Sequence, residues 1–255
     1  MTDHIITEAR DHVQRIELNR PEKKNAITVA MYEAMAAALE RAGVDPAVRV
    51  VLIHGQPGVF TSGNDLVDFL NAPPAGTEGP VFRFLTRISQ LEKPVVAAVT
   101  GAAVGIGTTM LLHCDYVVAG EGAKFSVPFV NLGLCPEGSS SLLLPLAVGR
   151  LRAAELVLFG EAIGAAQACD WGLVNRVVAD AEAIAQALAR AHALAAKPPA
   201  ALRTSKSLLK RRLAPLVAQT MHDEGVSFAA LLDSPEAKEA LSAFLDKRRP
   251  DFSHF

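Results

Sequence analysis

Three short, almost wholly apolar runs that each end at glycine constrain the fold most strongly. They are VRVVLIHG at 48–55, PVVAAVTG at 94–101 and CDYVVAG at 114–120. Runs of this length and composition are typical of strands that are buried on both faces of a parallel sheet. Segments with helical spacing alternate with these runs, such as Thr28 to Ala42 before the first run, where Gly43 is the expected stop. The alternation of strands and helices predicts an α/β fold.

The two ends of the chain differ from this central pattern. HIITEA and HVQRIELN near the N-terminus alternate in hydropathy and predict two half-buried strands. After about residue 148 nearly every segment has helical composition. We therefore expect one α/β domain that carries a helical region at its C-terminal end.

Charge and cysteine content limit the kinds of partner. The 255 residues carry 25 basic and 27 acidic side chains, a net charge of −2, so no overall field attracts nucleic acid or an anionic membrane. We predict small molecules or further copies of the chain as partners. The odd number of cysteines, without a CxxC pair, indicates free thiols and no metal site, and the polar start of the chain indicates no signal peptide. These features predict a cytoplasmic protein without a membrane span.

Two glycine turns follow predicted strands, VFTSGNDL at 59–66 and GAAVGIGTTM at 101–110. In the second, Gly105 to Gly107 open a helix whose first N–H groups have no intrahelical partner and can hold a negative oxygen. A dinucleotide site is excluded, because Met110 stands where the third glycine of that motif belongs. The serine run GSSSL lacks the second glycine of a nucleophile elbow.

Glu137 is the only charged residue in the run NLGLCPEGSSSLLLP. An acid in an apolar surround has a raised pKa, which suits a base that shuttles protons near neutral pH. The structural alternative is that Glu137 follows Pro136 in the first turn of a helix, where an acid favours the helix dipole. The local sequence leaves both interpretations open.

Five separated blocks resemble one family, and together they cover essentially the whole chain. The blocks are LNRPEKKNAI, VFTSGNDL, PVVAAVTGAAVGIG, CDYVVAGEGAKFSVPFVNLGLCPEG and AFLDKRRPDF. Their order and spacing are similar to those of the crotonase superfamily, the enoyl-CoA hydratases and isomerases. Within it, SGNDL and the glutamate of PEG resemble the peroxisomal-type delta3-delta2-enoyl-CoA isomerases.

The resemblance implies a fold and an assembly. A spiral of ββα units would occupy residues 1–195, and residues 196–255 would form a helical region that mediates trimer formation. The expected assembly is a homotrimer, or a hexamer made of two trimers. The substrate would be an acyl group carried on coenzyme A, with no prosthetic group.

The resemblance also implies a site. The main-chain N–H groups of Asn64 and Ile106 would form an oxyanion hole for the thioester oxygen, and Glu137 would be the catalytic base. Apolar neighbours of Glu137, including Phe129 and Leu134, would exclude water and raise its pKa. The residues expected to contact the coenzyme A thioester are Lys23, Lys24, Ser62, Gly63, Asp65, Leu66, Gly105, Phe244 and Lys247.

Several of these residues have structural alternatives. Lys23 and Lys24 are either phosphate contacts or part of a solvated loop, and Asp65 is expected to cap the helix after its turn. Phe244 and Lys247 match tail positions that, in the family, reach the coenzyme A of a neighbouring subunit. The basic run KSLLKRR at 206–212 is expected to be the wet face of a helix.

A departure from the family pattern favours one reaction. The hydratases carry two glutamates, at places that correspond to Thr109 and Phe129 here. Hydration needs one group to activate water and another to protonate carbon, whereas moving a double bond needs a single proton shuttle. The sequence therefore predicts isomerisation of 3-enoyl-CoA to 2-enoyl-CoA. The alternatives are hydratase, lyase or thioesterase chemistry on another acyl-CoA, or a non-catalytic homologue that binds acyl-CoA or RNA.

Overall fold

The computed structural model describes residues 3–71 and 79–255, and the strands in these ranges form two sheets. The strands are β1 (Ile5–Arg10), β2 (Val13–Leu18), β3 (Val50–His54), β4 (Val95–Val99), β5 (Ala102–Val104), β6 (Tyr116–Gly120), β7 (Lys124–Ser126), β8 (Ile163–Gly164) and β9 (Arg176–Val178). The larger sheet has the strand order β1-β2-β3-β4-β6-β9, and the smaller has the order β5-β7-β8.

The three apolar runs form neighbouring strands, β3, β4 and β6, and all of these pair in parallel. β3 and β4 are buried along their whole length, as strands covered on both faces should be. β2 extends the parallel order, and β1 pairs antiparallel at the edge. The prediction of an α/β fold built on buried parallel strands is confirmed.

Helices cover both faces of the larger sheet. The α-helices of the described residues are α1 (Val29–Val44), α2 (Leu66–Asn71), α3 (Pro80–Gln90), α4 (Ile106–Thr109), α5 (Ser140–Val148), α6 (Arg150–Ala154), α7 (Ala165–Asp170), α8 (Ala183–Ala195), α9 (Pro199–Lys210), α10 (Ala214–Leu232) and α11 (Pro235–Leu245). Four buried alanines of α8 pack against one face of the sheet, where their small side chains allow a close approach. α1 and α3 pack together in the main core on the other face.

The end of α1 corrects one prediction. Gly43 does not stop the helix, which continues to Val44. The backbone becomes extended at Asp45, with φ −73° and ψ 113°. Asp45 precedes Pro46, and the proline ring disfavours the helical conformation in the residue before it. The proline therefore ends this helix, and the glycine is tolerated inside it.

The region after residue 148 is less uniformly helical than its composition suggests. β8 and β9 lie within it, and β9 completes the larger sheet by pairing in parallel with β6. Strands of two or three residues are too short to show a hydropathy period, so the sequence gives little sign of them. The boundary between residues 195 and 196 falls at the end of α8 and stays a prediction.

The basic run at 206–212 is also not simply a wet face. Lys206 is 5% exposed, and its Nζ lies 2.6 Å from Asp115 Oδ2 and donates to the Lys93 carbonyl at 2.7 Å. It ties α9 to the loops around β4 and β6. Among the described residues, no helix combines the length and apolar character needed to cross a bilayer.

A candidate active site at two glycine turns

The two predicted glycine turns lie side by side. Thr61 N donates to Ala102 O at 2.9 Å, and Val104 N donates to Thr61 O at 3.1 Å, so the first turn runs along β5. Gly63 has φ +90°, and a Cβ atom there would lie 2.9 Å from Val104 O. Glycine is therefore required for both the backbone conformation and the close approach of the two turns.

Each turn presents a main-chain N–H group without an acceptor. Gly63 O accepts from Ile27 N at 2.8 Å and Asp65 N donates to Ile27 O at 2.9 Å, so the N–H of Asn64 between them points away from this pairing. Ile106 is the first residue of α4, where an N–H has no intrahelical partner. No described residue accepts a hydrogen bond from either group. Free main-chain N–H groups of this kind can bind an anionic oxygen.

Both residues line one groove of about 590 Å³. Most of the residues expected to contact the thioester also line it: Lys23, Ser62, Gly63, Asn64, Asp65, Leu66, Gly105, Ile106 and Phe244. Phe244 lines the groove of its own chain. Arg248, which the sequence did not indicate, also lines this groove. The acyl-tail pocket is expected to be lined from the variable region at 67–85, and residues 72–78 of that region lie outside the described residues.

Lys24 and Lys247 are not among the residues that line the groove. Lys24 is exposed and has φ +51°, and its main-chain oxygen accepts from Ser62 N at 3.0 Å. Lys247 is exposed just after α11, with φ +55°. Contact between these two side chains and coenzyme A stays a prediction.

Asp65 caps α2, as expected. Its Oδ1 accepts from Val67 N at 3.2 Å and from Asp68 N at 3.1 Å, while its Oδ2 accepts from Arg20 Nη1 at 2.6 Å. The carboxylate is therefore fully engaged inside the protein. Asp65 lines the groove, and its hydrogen bonds hold the turn that carries Asn64.

Glu137 is buried, with 8% exposure, and its Oε1 has no hydrogen-bond partner in the described residues. Burial raises its pKa to about 8, and the nearby charge of Glu224 adds to the shift. Its side chain is not on the groove wall itself, whereas Phe129 and Leu134, earlier in the same segment, are. The structure supports a neutral-range pKa for this acid.

Glu224 is a second buried acid that the sequence analysis missed. It lies on α10, and its two carboxylate oxygens accept from Ser139 N at 2.5 Å and from Ser141 N at 2.8 Å. A signal was present, because Met221, Glu224 and Phe228 share the buried face of α10 at helical spacing. An acid inside an apolar helical face is unusual enough to single out.

Tyr32 was also missed. It lies on the buried face of α1, and its hydroxyl donates to Oδ1 of Asn64. Burial raises the pKa of Tyr32 well above its ordinary value, and the charge of Glu137 adds to the shift. The sequence shows Tyr32 only as one more large residue on an apolar helix face.

The two places where the family's hydratases carry glutamates hold no acid. Thr109 is fully buried, and its Oγ1 has no partner among the described residues. Phe129 packs edge-on against Phe228, with ring centroids 6.4 Å apart. Neither side chain can act as a general acid or base.

Other potentially reactive groups have structural roles. His54 and His113 are buried, and each has a ring nitrogen 2.7 to 2.8 Å from a main-chain carbonyl, of Gly55 and Gly138 respectively. Burial lowers both pKa values, to about 4 for His113. The cysteines are free thiols, as predicted, and no group of side chains in the described ranges is placed to hold a metal ion.

Known proteins are similar to this chain in sequence and in fold. Residues 8–254 match the sequence profile of the Enoyl-CoA hydratase/isomerase family. Human enoyl-CoA delta isomerase 2 is 37% identical over 215 residues, which cover 82% of this chain and 54% of the human protein. The Escherichia coli 2,3-dehydroadipyl-CoA hydratase is 34% identical over 249 residues, or 97% of this chain and 98% of that protein. A crystal structure of an enoyl-CoA hydratase/isomerase from Pseudoalteromonas atlantica is similar, with a TM-score of 0.94 and 43% identity over 98% of this chain and 100% of the other.

Proposed function

Because the chain belongs to the enoyl-CoA hydratase/isomerase family of the crotonase superfamily, we propose that it moves the double bond of a 3-enoyl-CoA to the 2 position. Enzymes of this family act on coenzyme A thioesters without a prosthetic group. The observation that carries the proposal is Glu137, a buried acid whose Oε1 has no partner among the described residues. Its charge acts on Tyr32, which donates to Asn64, one of the two residues with a free main-chain donor.

The reaction uses these groups in sequence. Glu137, as the carboxylate, removes a proton from C2, and the electron pair moves onto the thioester oxygen to give a dienolate. The N–H groups of Asn64 and Ile106 stabilise this charge, and one such donor is worth about 3 to 4 kcal/mol. Glu137 then returns the same proton to C4, which places the double bond between C2 and C3. A pKa near neutrality suits an acid that must accept and release one proton.

The residues of the site do not supply the two groups that hydration of a 2-enoyl-CoA requires. Water addition needs a second acid or base, and Thr109 and Phe129 cannot supply one. Glu224 is a carboxylate, but both of its oxygens accept main-chain hydrogen bonds. These two hydrogen bonds hold the segment that carries Glu137.

Assays of 3-enoyl-CoA and 2-enoyl-CoA test the proposal. We expect the wild-type protein to convert 3-enoyl-CoA to 2-enoyl-CoA, and Glu137→Gln to lower kcat at least about 1,000-fold because the proton shuttle is lost. Glu121→Gln removes an exposed acid and is the matched control. Hydration of 2-enoyl-CoA without double-bond migration, or full isomerase activity in Glu137→Gln, would overturn the assignment.

We also propose that the chain forms a homo-oligomer with trimer symmetry. Large apolar side chains are exposed on α6, on the π-helical turn that follows it (Glu155–Phe159) and on α9. They include Leu151 at 74%, Phe159 at 67% and Leu209 at 81%. Exposed apolar groups of this size are typical of interfaces. Sedimentation equilibrium should give three chains or six, and Leu209→Glu should favour smaller species. A wild-type monomer at micromolar concentration would contradict the proposal.

A further inference from the structure

Tyr32 holds a buried hydroxyl beside the site. Its side chain is 1% exposed, and its ring packs against Phe84 with centroids 5.7 Å apart. A buried phenol needs a hydrogen-bond partner, and among the described residues that partner is Oδ1 of Asn64. The raised pKa of Tyr32 keeps the hydroxyl protonated, so it remains a donor throughout the working pH range.

This hydrogen bond restrains Asn64 from a second direction. Its flanking main-chain atoms are already held by Ile27, through Gly63 O and Asp65 N. The Tyr32 hydroxyl donates to the carbonyl oxygen of the Asn64 carboxamide, and this hydrogen bond fixes the Asn64 side chain in one orientation. Hydrogen bonds to Gly63 and Asp65 thus hold the main chain on either side of Asn64, and Tyr32 holds its side chain. The main-chain N–H of Asn64 has no acceptor among the described residues.

We infer that Tyr32 is a positioning residue, which holds the carboxamide of Asn64 and thereby fixes the main-chain N–H that Asn64 contributes to the oxyanion hole. The inference rests on the proposed function. Oxyanion donors act through preorganisation, because a donor that must move into place during the reaction loses part of its benefit. Displacements of about 1 Å in a catalytic group cost up to about 100-fold in rate.

Tyr32→Phe keeps the ring and removes only the hydroxyl. Tyr116→Phe, at the other tyrosine of the chain, is the matched control. We expect Tyr32→Phe to lower kcat about tenfold with KM within about twofold, since positioning affects the transition state more than ground-state binding. The pH midpoint of kcat/KM should not move. An unchanged kcat, or a shifted midpoint that indicates direct action on Glu137, would overturn the inference.

A double-mutant cycle tests the route through Asn64. Asn64→Ala keeps the main-chain N–H and removes the group that Tyr32 holds. In that background, Tyr32→Phe should change kcat less than about twofold, because coupled residues are non-additive. A tenfold effect of Tyr32→Phe in both backgrounds would show that Tyr32 acts elsewhere.

A spectroscopic measurement separates this inference from the proposed reaction. When 3-phenylpropenoyl-CoA binds, hydrogen bonds to its thioester oxygen polarise the conjugated system and shift its absorption to longer wavelength. We expect the shift in the wild-type, Tyr116→Phe and Glu137→Gln proteins, and a smaller shift in Tyr32→Phe. Loss of isomerase activity with a normal shift in Tyr32→Phe would refute the positioning role. A normal Glu137→Gln rate would refute only the proposed reaction.

Discussion

The carboxylate of Glu224 lies close enough to that of Glu137 for its negative charge to raise the pKa of Glu137. The two acids come from separate elements, since Glu224 is on α10 and Glu137 precedes α5. Glu224 also accepts from the main-chain N–H groups of Ser139 and Ser141 at the start of α5. The Glu224 side chain thus holds the segment that carries Glu137, the proposed base, and raises the pKa of Glu137.

Removing the charge of Glu224 should change the pH dependence of the reaction. Glu137 must be ionised to remove a proton, so kcat/KM should rise with pH through a midpoint near the pKa of about 8. Glu224→Gln removes the neighbouring negative charge, which lowers the pKa of Glu137. We expect the midpoint to move to lower pH by about 0.5 to 1 unit, as measured from initial rates between pH 5 and pH 10.

Asp223→Asn is the matched control for this shift. Asp223 is the adjacent acid on α10 but is exposed, so water and salt screen its charge. We expect Asp223→Asn to leave the pH midpoint of kcat/KM unchanged. Equal shifts in both variants would mean that net charge alone acts, and a shift of Glu224→Gln to higher pH would contradict the electrostatic coupling.

Burial of Glu137 should also make stability depend on pH. The pKa of Glu137 rises from 4.5 to about 8 in the folded chain, so between these values the folded state binds more protons than the unfolded state. The free energy of unfolding should therefore fall as pH rises through this window. Glu137→Gln removes this contribution, and its free energy of unfolding relative to wild type should increase by about 1 to 3 kcal/mol from pH 5 to pH 8.

Urea denaturation at several pH values measures this difference. The test depends on the trend with pH and not on the absolute stability of the variant, since a buried amide also changes local hydrogen bonding. Glu121→Gln, in an exposed turn, should show no such trend. A difference between Glu137→Gln and wild type that stays constant from pH 5 to pH 8 would mean that Glu137 is ionised normally in the folded protein.

The sequence predicted those features that depend on short patterns. β3, β4 and β6 are continuous apolar runs, and the free thiols and the cap at Asp65 follow from residue type and spacing. The resemblance to a family supplied the placement of Asn64 and Ile106 on one groove. Composition alone assigned neither residue, because their proposed role depends on main-chain N–H groups that any residue carries.

The residues that were missed depend on contacts distant in sequence. Glu224 meets Ser139 across 85 positions, and Tyr32 meets Asn64 across 32, and no local period indicates either contact. β9 is only three residues long and is defined by its pairing with β6. Such features arise from tertiary packing, which a single sequence does not display.

Two glycines with similar backbone conformations allow the close approach of the turns to be tested directly. Gly63 has φ +90° and Gly58 has φ +80°, so Ala at either position introduces comparable backbone strain of about 1 kcal/mol. A Cβ at Gly63 would lie 2.9 Å from Val104 O, whereas a Cβ at Gly58 would meet nothing within 4 Å. Only Gly63→Ala should push the turn that presents Asn64 away from β5.

We therefore expect Gly58→Ala to lower the free energy of unfolding by about 1 kcal/mol and to leave kcat within about twofold of wild type. Gly63→Ala should cost about 2 to 3 kcal/mol and lower kcat at least about 100-fold, because the displaced turn moves the proposed oxyanion donor Asn64. Urea denaturation and initial rates on 3-enoyl-CoA provide the two measurements. If the two variants had the same kcat, the close packing of the turn against β5 would not be what sets the position of the Asn64 N–H.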